Sequence, residues 1–501
     1  MSLTKHLLAG SALRFISLVA NVVIAFFMMP FVIASLGDRW YGLWVVVGTL
    51  TSYYGFLDLG LSSATQRFFA TALARNDSRE LNTILATALT IFGALALVAL
   101  AVTGIIVAAA PFFLKNPDDA VVFRWVAGLL GVGVSAALPN YVLTGLVTAH
   151  LRYDQVSYVQ LGKLLLRSTL FVWALHGGYG IVALAAITVG VDLLGYVTIA
   201  WLARRAAPWM ELHSRYFSAQ QTRALFGFGV YAFLTSIADK LRFGVDDLVL
   251  AAFSSLSVVT HYNIAVRLAD YLLQALGSLL GIMTPVFARS FADRSHGQLR
   301  EQFLSASRVG VLLGCCAGGA CIVFGRPFIE LWMGPAYLDA YVPLVILVFA
   351  MTIDAMQIPT VNALYAVARH KFFAYMTAAD ALANVLLSLL LVRRYGMVGV
   401  ALGTMVPTLV TKLMVQPWYV TRALGIAPGV YFRAVLGPAL LLGSVQVPLA
   451  LLFARHHITS YPQLALFAAG SYLVVFALAL RLVLSSKERS IVWKMLPVHA
   501  R

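Results

Sequence analysis

Long apolar stretches recur along almost the whole chain, and their length limits the folds that are open to it. A helix needs about 20 consecutive apolar residues to cross the hydrocarbon core of a bilayer. Fourteen such stretches can be marked, at 9–36, 41–66, 84–111, 121–148, 155–175, 180–203, 224–253, 258–288, 303–324, 341–367, 372–392, 398–420, 434–454 and 463–484. The pattern predicts an all-α, polytopic membrane protein with about fourteen transmembrane helices.

Composition supports the bilayer as the solvent for most of the chain. Of the 501 residues, 61% are hydrophobic and 11% are charged, and the mean hydropathy is +0.87. Soluble proteins average about 45–50% apolar and about 25% charged residues. A soluble protein of this length could not cover its surface with so few charges. The three cysteines, Cys315, Cys316 and Cys321, share one apolar stretch, which is typical of packing residues rather than a metal or redox site.

The distribution of basic residues predicts the orientation in the membrane. If the N-terminus is cytoplasmic, the inside segments hold 24 Lys and Arg residues and the outside segments hold 7. Cytoplasmic loops of membrane proteins carry such an excess. The basic residues lie in short clusters between apolar stretches, so the net charge of +16 does not indicate nucleic-acid binding. We expect both termini to be cytoplasmic.

The seventh predicted span contains the densest group of charged residues, namely Asp239, Lys240, Arg242, Asp246 and Asp247. Asp239, Arg242 and Asp246 are spaced i, i+3 and i+7, which places them on one helical face. A charge at the bilayer centre costs about 2.5–3.5 kcal/mol, so such side chains face protein or water. The cluster favours a hydrated cavity with a mixed charged lining. The alternative is a static network that joins helices.

Other polar residues extend this candidate cavity to further spans. Arg267 and Asp270 lie one helical turn apart in the eighth span, either lining the cavity or neutralising each other. Arg14 either lines the cavity or extends to the interface. Tyr53 and Tyr54 are candidates for stacking. Single charges within spans, each with a structural partner as the alternative to substrate contact, are Asp58, Asp192, Asp354, Asp380 and Lys412. Of these, Asp58 and Lys412 are placed in the predicted substrate cavity.

Motifs of nucleotide, hydrolase and metal chemistry are missing from the sequence. It contains no GxxxxGK[ST], GxSxG, HExxH or CxxC pattern, and no predicted loop is long enough for a soluble catalytic domain. We therefore expect a transporter rather than an enzyme, with no cofactor. The energy for transport would come from an ion gradient or from movement of the substrate down its own concentration gradient. Asp239 and Asp270 are the first candidates for a coupling site for H⁺ or Na⁺.

Several short segments carry a family resemblance that extends from the first to the twelfth span. They are Leu36-Gly37-Asp38-Arg39-Trp40-Tyr41-Gly42-Leu43-Trp44, Leu57-Asp58-Leu59-Gly60-Leu61, Gln66-Arg67-Phe68, Asp246-Asp247-Leu248-Val249-Leu250, Tyr262-Asn263-Ile264-Ala265-Val266-Arg267, Leu331-Trp332-Met333-Gly334-Pro335-Ala336-Tyr337 and Gly396-Met397-Val398-Gly399-Val400-Ala401. In order and spacing the sequence resembles the polysaccharide-transport (Wzx-type) flippases. These belong to the superfamily that includes the MATE exporters and the lipid II flippases.

The resemblance implies a MATE-like fold of two six-helix bundles around a central cavity, with an extra helix pair. The bundles would cover 1–212 and 213–425, and the helix pair and a basic cytoplasmic tail would cover 426–501. A weak repeat fits two similar halves, because the segment from Tyr41 to Val45 is followed by a long span, as is the segment from Tyr262 to Val266.

The implied function is movement of an undecaprenyl-diphosphate-linked oligosaccharide across the bacterial inner membrane by alternating access. The cargo would be a repeat unit of O-antigen, a component of lipopolysaccharide, or of an exopolysaccharide. Cavities in the family tend to be cationic, which suits an anionic diphosphate. The residues that would fill this role are Arg14, Lys240, Arg242, Arg267 and Lys412.

The expected partners are the lipid-linked oligosaccharide and membrane lipids, together with a polysaccharide polymerase and export machinery; nucleic acid is not expected. We expect a monomer. Two alternatives remain close, a MATE-like cation-coupled antiporter for small molecules and a lipid II flippase. An integral-membrane enzyme such as a sugar-repeat polymerase is disfavoured, since it would need a large outer loop.

Overall fold

The computed structural model describes residues 3–113, 116–211, 213–281, 283–293, 295–367, 369–453, 458–485 and 488–489. Side chains are described in these ranges except at 3–15, 18, 113, 214, 228–243, 284–285, 296 and 370–371. Within the described residues the structure is helical and contains no β-strand, so the predicted all-α class is confirmed.

The α-helices are numbered along the chain. They are α1 (Leu3–Leu36), α2 (Asp38–Ser52), α3 (Leu61–Ala74), α4 (Ser78–Phe113), α5 (Pro117–Ala149), α6 (Tyr153–His176), α7 (Ile181–Ala206), α8 (Ala219–Phe253), α9 (Leu256–Leu280), α10 (Met283–Ala292), α11 (His296–Met333), α12 (Tyr341–Met356), α13 (Ile358–Ala366), α14 (His370–Val410), α15 (Gln416–Leu424), α16 (Pro428–Phe453) and α17 (Tyr461–Val483). Three 3₁₀ turns, Tyr53–Asp58, Ser214–Tyr216 and Pro335–Ala340, and one π-helical turn, Thr411–Val415, lie between them.

The helices present apolar surface to their surroundings, as a bilayer requires. Nine stretches of the described residues are long and apolar enough to span a membrane. The predicted count of fourteen stays a prediction. Large apolar side chains on these helices are exposed, for example Leu97 (68%), Ile105 (67%) and Val197 (68%). Because water would penalise such surface, these faces are suited to lipid.

A sharp turn divides the second predicted span. Helix α2 ends at Ser52, and Leu59 and Gly60 have positive φ angles of 50° and 72° before α3 begins. Glycine adopts this conformation without strain. Asp58 accepts hydrogen bonds from the backbone N–H (3.1 Å) and the hydroxyl (2.8 Å) of Ser62, which caps the first turn of α3. The continuous span expected at 41–66 is therefore two helical pieces.

A second turn divides α14 at Gly396, where φ is 54°. Beyond it, Gly399 and Gly403 lie so close to Leu391 and Ser388 that a Cβ atom at either glycine would collide with them. Glycines four residues apart allow two helices to approach closely. The two halves of α14 are thus separate segments packed against each other.

The chain divides into two compact units, and the boundary falls within α8. Unit 1 comprises Met1–Lys240 and Ser255–Thr260, and unit 2 comprises Leu241–Ser254 and His261–Arg501. One core of unit 1 is built around Phe69 and Phe92, and one core of unit 2 around Phe287 and Phe303, all four of them fully buried. The functional domain limits at 212 and 425 stay predictions.

In unit 2 the C-terminal helices pack on α11. The rings of Phe303 and Tyr431 stack with centroids 5.7 Å apart, and Nε of Arg308 donates to both carboxylate oxygens of Glu488 at 3.1 and 3.0 Å. Partial burial alone would raise the pKa of Glu488, but hydrogen bonds from Arg308, Ser305 and Ser485 outweigh it and lower the pKa to about 2. The stability that this contact contributes is therefore fully present above about pH 4.5 and is lost progressively as the pH falls from there through about 2.

Gly42 marks a close crossing of α2 with the start of α9. A Cβ atom there would collide with the carbonyl group of Leu256, whereas a Cβ at Gly48, in the same helix, would meet nothing within 4 Å. We expect Gly42→Ala to lower the free energy of unfolding by about 1–3 kcal/mol through overpacking. Gly48→Ala is the matched control and should be neutral or slightly stabilising. Thermal unfolding of the purified protein in detergent measures both, and equal melting temperatures would contradict the crossing.

Candidate functional site

A buried carboxylate in unit 2 is held by hydroxyl groups from two other helical segments. Oδ2 of Asp246 (α8) accepts hydrogen bonds from the Tyr262 hydroxyl (α9) at 2.7 Å and from the Thr404 hydroxyl (α14) at 2.9 Å. Nδ2 of Asn384, in the other half of α14, donates to Thr404 at 2.8 Å. All four side chains are buried. We call Asp246, Tyr262, Asn384 and Thr404 the Asp246 cluster.

Two further carboxylates border the Asp246 cluster. Asp247 and Asp270 line, together with Asp246, a cavity of about 20 Å³. A cavity needs about 10–15 Å³ to hold one water molecule, so this one admits a single water or a small ion. Asp246 and Asp247 are less than a tenth exposed, at 8% and 9%. Three carboxylates around so small a space repel one another unless a proton or a cation neutralises them.

The cluster also contains oxygen acceptors without donors. Oδ1 of Asp246 and Oδ1 of Asn384 are buried and make no hydrogen bond within the described part of the chain. Buried acceptors normally have a partner, and oxygen ligands suit hard cations. No group of three or more His, Cys, Asp or Glu side chains suited to a metal ion occurs among the described residues. A cation here would therefore use the hydroxyl and amide oxygens as well as carboxylates.

Lys412 lies in the π-helical turn and is almost fully buried, at 3% exposure. Its Nζ is 2.8 Å from Oδ1 of Asp354 and 5.2 Å from the ring centroid of Phe373. The preceding residue, Thr411, donates to Asp380 at 3.1 Å. Lys412 is thus neutralised by a counter-ion on α12. Single π-helical turns are frequent at functional sites, and this one places the lysine against its partner.

Unit 1 carries a different polar group, formed by α6 and α7. Nζ of Lys163 and Nη2 of Arg167 both lie 2.7 Å from Oδ1 of Asp192. Two cations share one carboxylate, so the group has one surplus positive charge. Nε of Arg167 is buried and makes no hydrogen bond among the described residues. We call Lys163, Arg167 and Asp192 the cationic cluster.

The cationic cluster lies deep in its helices. Asp192, which both cations share, is about 17 Å from the start of α7 by a rise of about 1.5 Å per residue. Helix α7 is one of the stretches long and apolar enough to span a bilayer core about 30 Å thick. The aliphatic part of the Lys163 side chain packs on Gly195, where a Cβ atom would collide with it. Nζ of Lys163 lies 5.4 Å from the ring centroid of Tyr196. The surplus charge is therefore at mid-depth beside an aromatic ring, where it can attract an anion.

The residues predicted at the turn after α2 have structural partners. The buried hydroxyl of Tyr54 is 2.8 Å from Oγ1 of Thr103. The ring of Tyr53 packs against Phe56 with centroids 5.6 Å apart. Asp58 caps α3 through Ser62, as described above. None of these three residues has a described hydrogen bond or ion pair with the cationic cluster, but Asp58 and Asp192 both lie within electrostatic range of Tyr141.

The other predicted cavity residues divide into two groups. The side chains of Arg14, Asp239, Lys240 and Arg242 lie outside the described residues. Arg267 is exposed on α9, one turn before Asp270, while Asp270 borders the cavity of the Asp246 cluster. Of the predicted set, Asp246, Asp247 and Asp270 are thus brought together.

Four residues of these two clusters were not predicted from the sequence. They are the cations Lys163 and Arg167 and the neutral residues Asn384 and Thr404. Lys163 and Arg167 count as cytoplasmic in the topology prediction, yet they lie inside α6. Their spacing of four residues within an apolar stretch, opposite Asp192 in the next span, is a signal that could have been used. Asn384 and Thr404 carry no such signal, because nothing in the sequence indicates that the two halves of α14 meet.

The fold is shared with solved membrane transporters of low sequence identity. The chain is similar to the lipid II flippase MurJ in an inward closed conformation, with a TM-score of 0.74, 11% identity and coverage of 94% of this chain and 98% of that one. It is also similar to an inward-facing multidrug resistance MATE family transporter of the MOP superfamily, with a TM-score of 0.65, 14% identity and coverage of 82% and 94%. The protein thus has the fold of these multi-pass transporters, as predicted.

Sequence comparison identifies the family. Residues 36–342 match the family described as Polysaccharide biosynthesis protein, and the chain belongs to it. The chain is also 21% identical, over 429 residues, to the uncharacterized membrane protein EpsK of Bacillus subtilis (strain 168), covering 83% of this chain and 84% of that protein. The predicted resemblance to polysaccharide-transport flippases is confirmed.

The hydroxyl of Tyr262 can be tested as a support of Asp246. Tyr262→Phe leaves the carboxylate with the Thr404 donor alone, and we expect the free energy of unfolding to fall by about 1–3 kcal/mol. Tyr375→Phe is the control, because Tyr375 is 76% exposed and lies outside the Asp246 cluster. Chemical denaturation in detergent measures the difference. Indistinguishable stabilities would show that the bond contributes nothing.

Proposed function

We propose that this protein moves a polyprenyl-diphosphate-linked oligosaccharide from the cytoplasmic to the periplasmic leaflet of the bacterial inner membrane. Membership in the polysaccharide biosynthesis family and the flippase-type fold support a transporter in this process. The excess of basic residues in the predicted inside segments supports cytoplasmic termini. The cargo would be a repeat unit of O-antigen or of an exopolysaccharide.

The observation that carries the proposal is the surplus positive charge of the cationic cluster. A diphosphate is anionic, and bonds between guanidinium or ammonium groups and phosphate oxygens are the stronger kind of hydrogen bond. Arg167 has a buried Nε that makes no hydrogen bond among the described residues. Asp192 holds both cations in position and reduces the charge that must be buried. This partial neutralisation lets the diphosphate bind without being trapped.

In this mechanism the charged head group enters the protein and the polyprenyl tail remains in the bilayer. The exposed apolar faces of the helices, such as that around Leu194 and Val197 on α7, are suited to contact with such a tail. The sugar is bound by groups that hydrogen-bond or stack, of which Tyr196 beside Lys163 is one candidate. Transport proceeds by alternating access of the site to the two sides.

The proposal predicts that the cationic cluster controls translocation. Lys163→Gln and Arg167→Gln should each slow flipping about tenfold or more, because a hydrogen bond to a charged group contributes about 1.5–3 kcal/mol. The measurement uses proteoliposomes with a labelled lipid-linked oligosaccharide and follows how quickly an external glycan-cleaving enzyme gains access. Arg289→Gln is the matched control, since the Arg289 side chain is 87% exposed.

Two outcomes would count against this function. If flipping by Lys163→Gln and Arg167→Gln equals that of Arg289→Gln, the cationic cluster is not the diphosphate site. If the wild-type protein moves lipid II or a cationic drug and not the lipid-linked oligosaccharide in the same assay, the substrate class is wrong. Unchanged melting temperatures of the variants ensure that a loss of flipping is not a loss of folding.

We further infer that the Asp246 cluster couples transport to an ion, either H⁺ or Na⁺. Three carboxylates border a cavity of about 20 Å³, and two buried oxygen acceptors lack donors in the described part of the chain. A proton on Asp246 would remove its charge and make it a hydrogen-bond donor, and a sodium ion would take oxygen atoms such as Oδ1 of Asp246 and Oδ1 of Asn384 as ligands. Binding of the cation neutralises the buried charge of Asp246 and reduces its repulsion with the neighbouring carboxylates, so the cation can bias the conformation of unit 2.

Coupling predicts that transport responds to one gradient and that Asp246→Asn abolishes the response. The amide is isosteric with the carboxylate but cannot take up a proton or offer a charge to sodium. Flipping rates are measured with a pH gradient, a sodium gradient or neither, and Asp293→Asn, at an exposed position, is the control. Wild-type rates that are unchanged when both gradients are collapsed would refute coupling.

A further inference from the structure

A second basic site lies at one end of unit 1, away from the cationic cluster. The start of α6 and the end of α7 form a pocket of about 230 Å³ lined by Arg152, Gln155, Leu202, Arg205 and Ala206. Pockets for drug-sized ligands measure about 300–1,000 Å³, so this one suits a smaller group. Its polar lining consists of two guanidinium groups and one amide, and all three can donate hydrogen bonds to an anion.

The donors of this pocket are available to a ligand. Arg152 is the residue before α6, and no side chain caps the helix there. Nε of Arg152 makes no hydrogen bond among the described residues but forms an ion pair with Oδ1 of Asp154 at 3.5 Å, and the Arg152 side chain as a whole is 42% exposed. The adjacent Arg204 does not belong to the pocket lining, and its Nη1 donates a hydrogen bond to the carbonyl oxygen of Met210 at 3.0 Å. Asp154 offsets one of the two positive charges of Arg152 and Arg205, so the pocket keeps one surplus positive charge.

The start of α6 adds to the attraction for an anion. The first N–H groups of a helix have no partner within the helix, and the helix dipole places partial positive charge there. Arg152 and Gln155 belong to this first turn, and Arg205 faces it from the end of α7. Helix termini with basic side chains of this kind bind phosphate groups.

The pocket lies at the level expected for lipid head groups. Trp201, one turn before Arg205, is 58% exposed, and the guanidinium carbon of Arg205 lies 5.5 Å from its ring centroid. Exposed tryptophans with neighbouring arginines are typical of the membrane–water interface. Basic pockets between helices at this depth bind anionic head groups.

We propose that Arg152, Gln155 and Arg205 form a binding site for a phosphate-bearing anion. The chemistry fits the phosphodiester of an anionic lipid head group and also a soluble phosphate, because each offers oxygens to two guanidinium groups. The site is separate from the cationic cluster, so it does not depend on the proposed flipping of an oligosaccharide. An anion bound here would link the start of α6 to the end of α7.

The experiment uses the full-length protein in neutral detergent and titrates three probes separately. The probes are short-chain phosphatidylglycerol, short-chain phosphatidylcholine and inorganic phosphate, and the measured quantity is the apparent dissociation constant from the rise in melting temperature. We expect Arg152→Gln and Arg205→Gln each to weaken binding of phosphatidylglycerol about tenfold. Arg75→Gln is the control, because Arg75 in the same unit is 67% exposed and outside the pocket.

The outcomes separate the sources of the phosphate. Arginine-dependent binding of phosphatidylglycerol alone supports a lipid site, and equal arginine-dependent binding of inorganic phosphate supports a site for soluble phosphate. Binding that is unchanged in both pocket variants, or equal for phosphatidylcholine and phosphatidylglycerol, overturns the proposal. Arg152→Lys and Arg205→Lys keep the charge, so their partial recovery of affinity distinguishes lost binding from lost folding. Flipping rates of the same variants are measured independently, so a failed anion site does not refute the flippase.

Discussion

A hydrocarbon environment gives an ionised side chain no hydration, so the protein itself must supply each partner for a charge at mid-depth. Lys412 has Asp354 as its counter-ion, and Asp192 is shared by Lys163 and Arg167. Where the compensation is incomplete, a ligand can complete it. The cationic cluster of unit 1 has surplus positive charge, while the described residues of the Asp246 cluster have surplus negative charge. Each surplus defines the sign of the ligand that the site can take.

Backbone geometry decides which of these groups meet. The turn at Gly396 and the small residues Gly399 and Gly403 bring the halves of α14 together, and only then can Asn384 reach Thr404. Thr404 in turn donates a hydrogen bond to Asp246 on α8. The position of this carboxylate therefore depends on glycines that lie about 150 residues later in the chain. The site is thus a product of helix packing rather than of a local motif.

This origin explains what the sequence predicts well and what it does not. The length of the apolar stretches predicts helices, and the cost of burying charge predicts a polar interior that includes Asp246, Asp247 and Asp270 among twelve candidate residues. The choice of partner depends on tertiary contacts, so the sequence marks Tyr54 as a candidate for stacking but does not predict the hydrogen bond between its hydroxyl and Thr103. The break at Gly60 was missed because hydropathy is continuous through it. Lys163 was missed as a site residue because it was counted among the basic residues that predict orientation, although it lies within the predicted span at 155–175.

The packing of Lys163 across Gly195 has a consequence for the position of its charge. Since only a hydrogen atom fits beneath the lysine stem, the residue at position 195 determines how far the ammonium group stands from the helix surface. A methyl group there would push the ammonium away from Asp192 and toward the neighbouring space. A change without any charge of its own would thereby alter the electrostatics of the proposed diphosphate site.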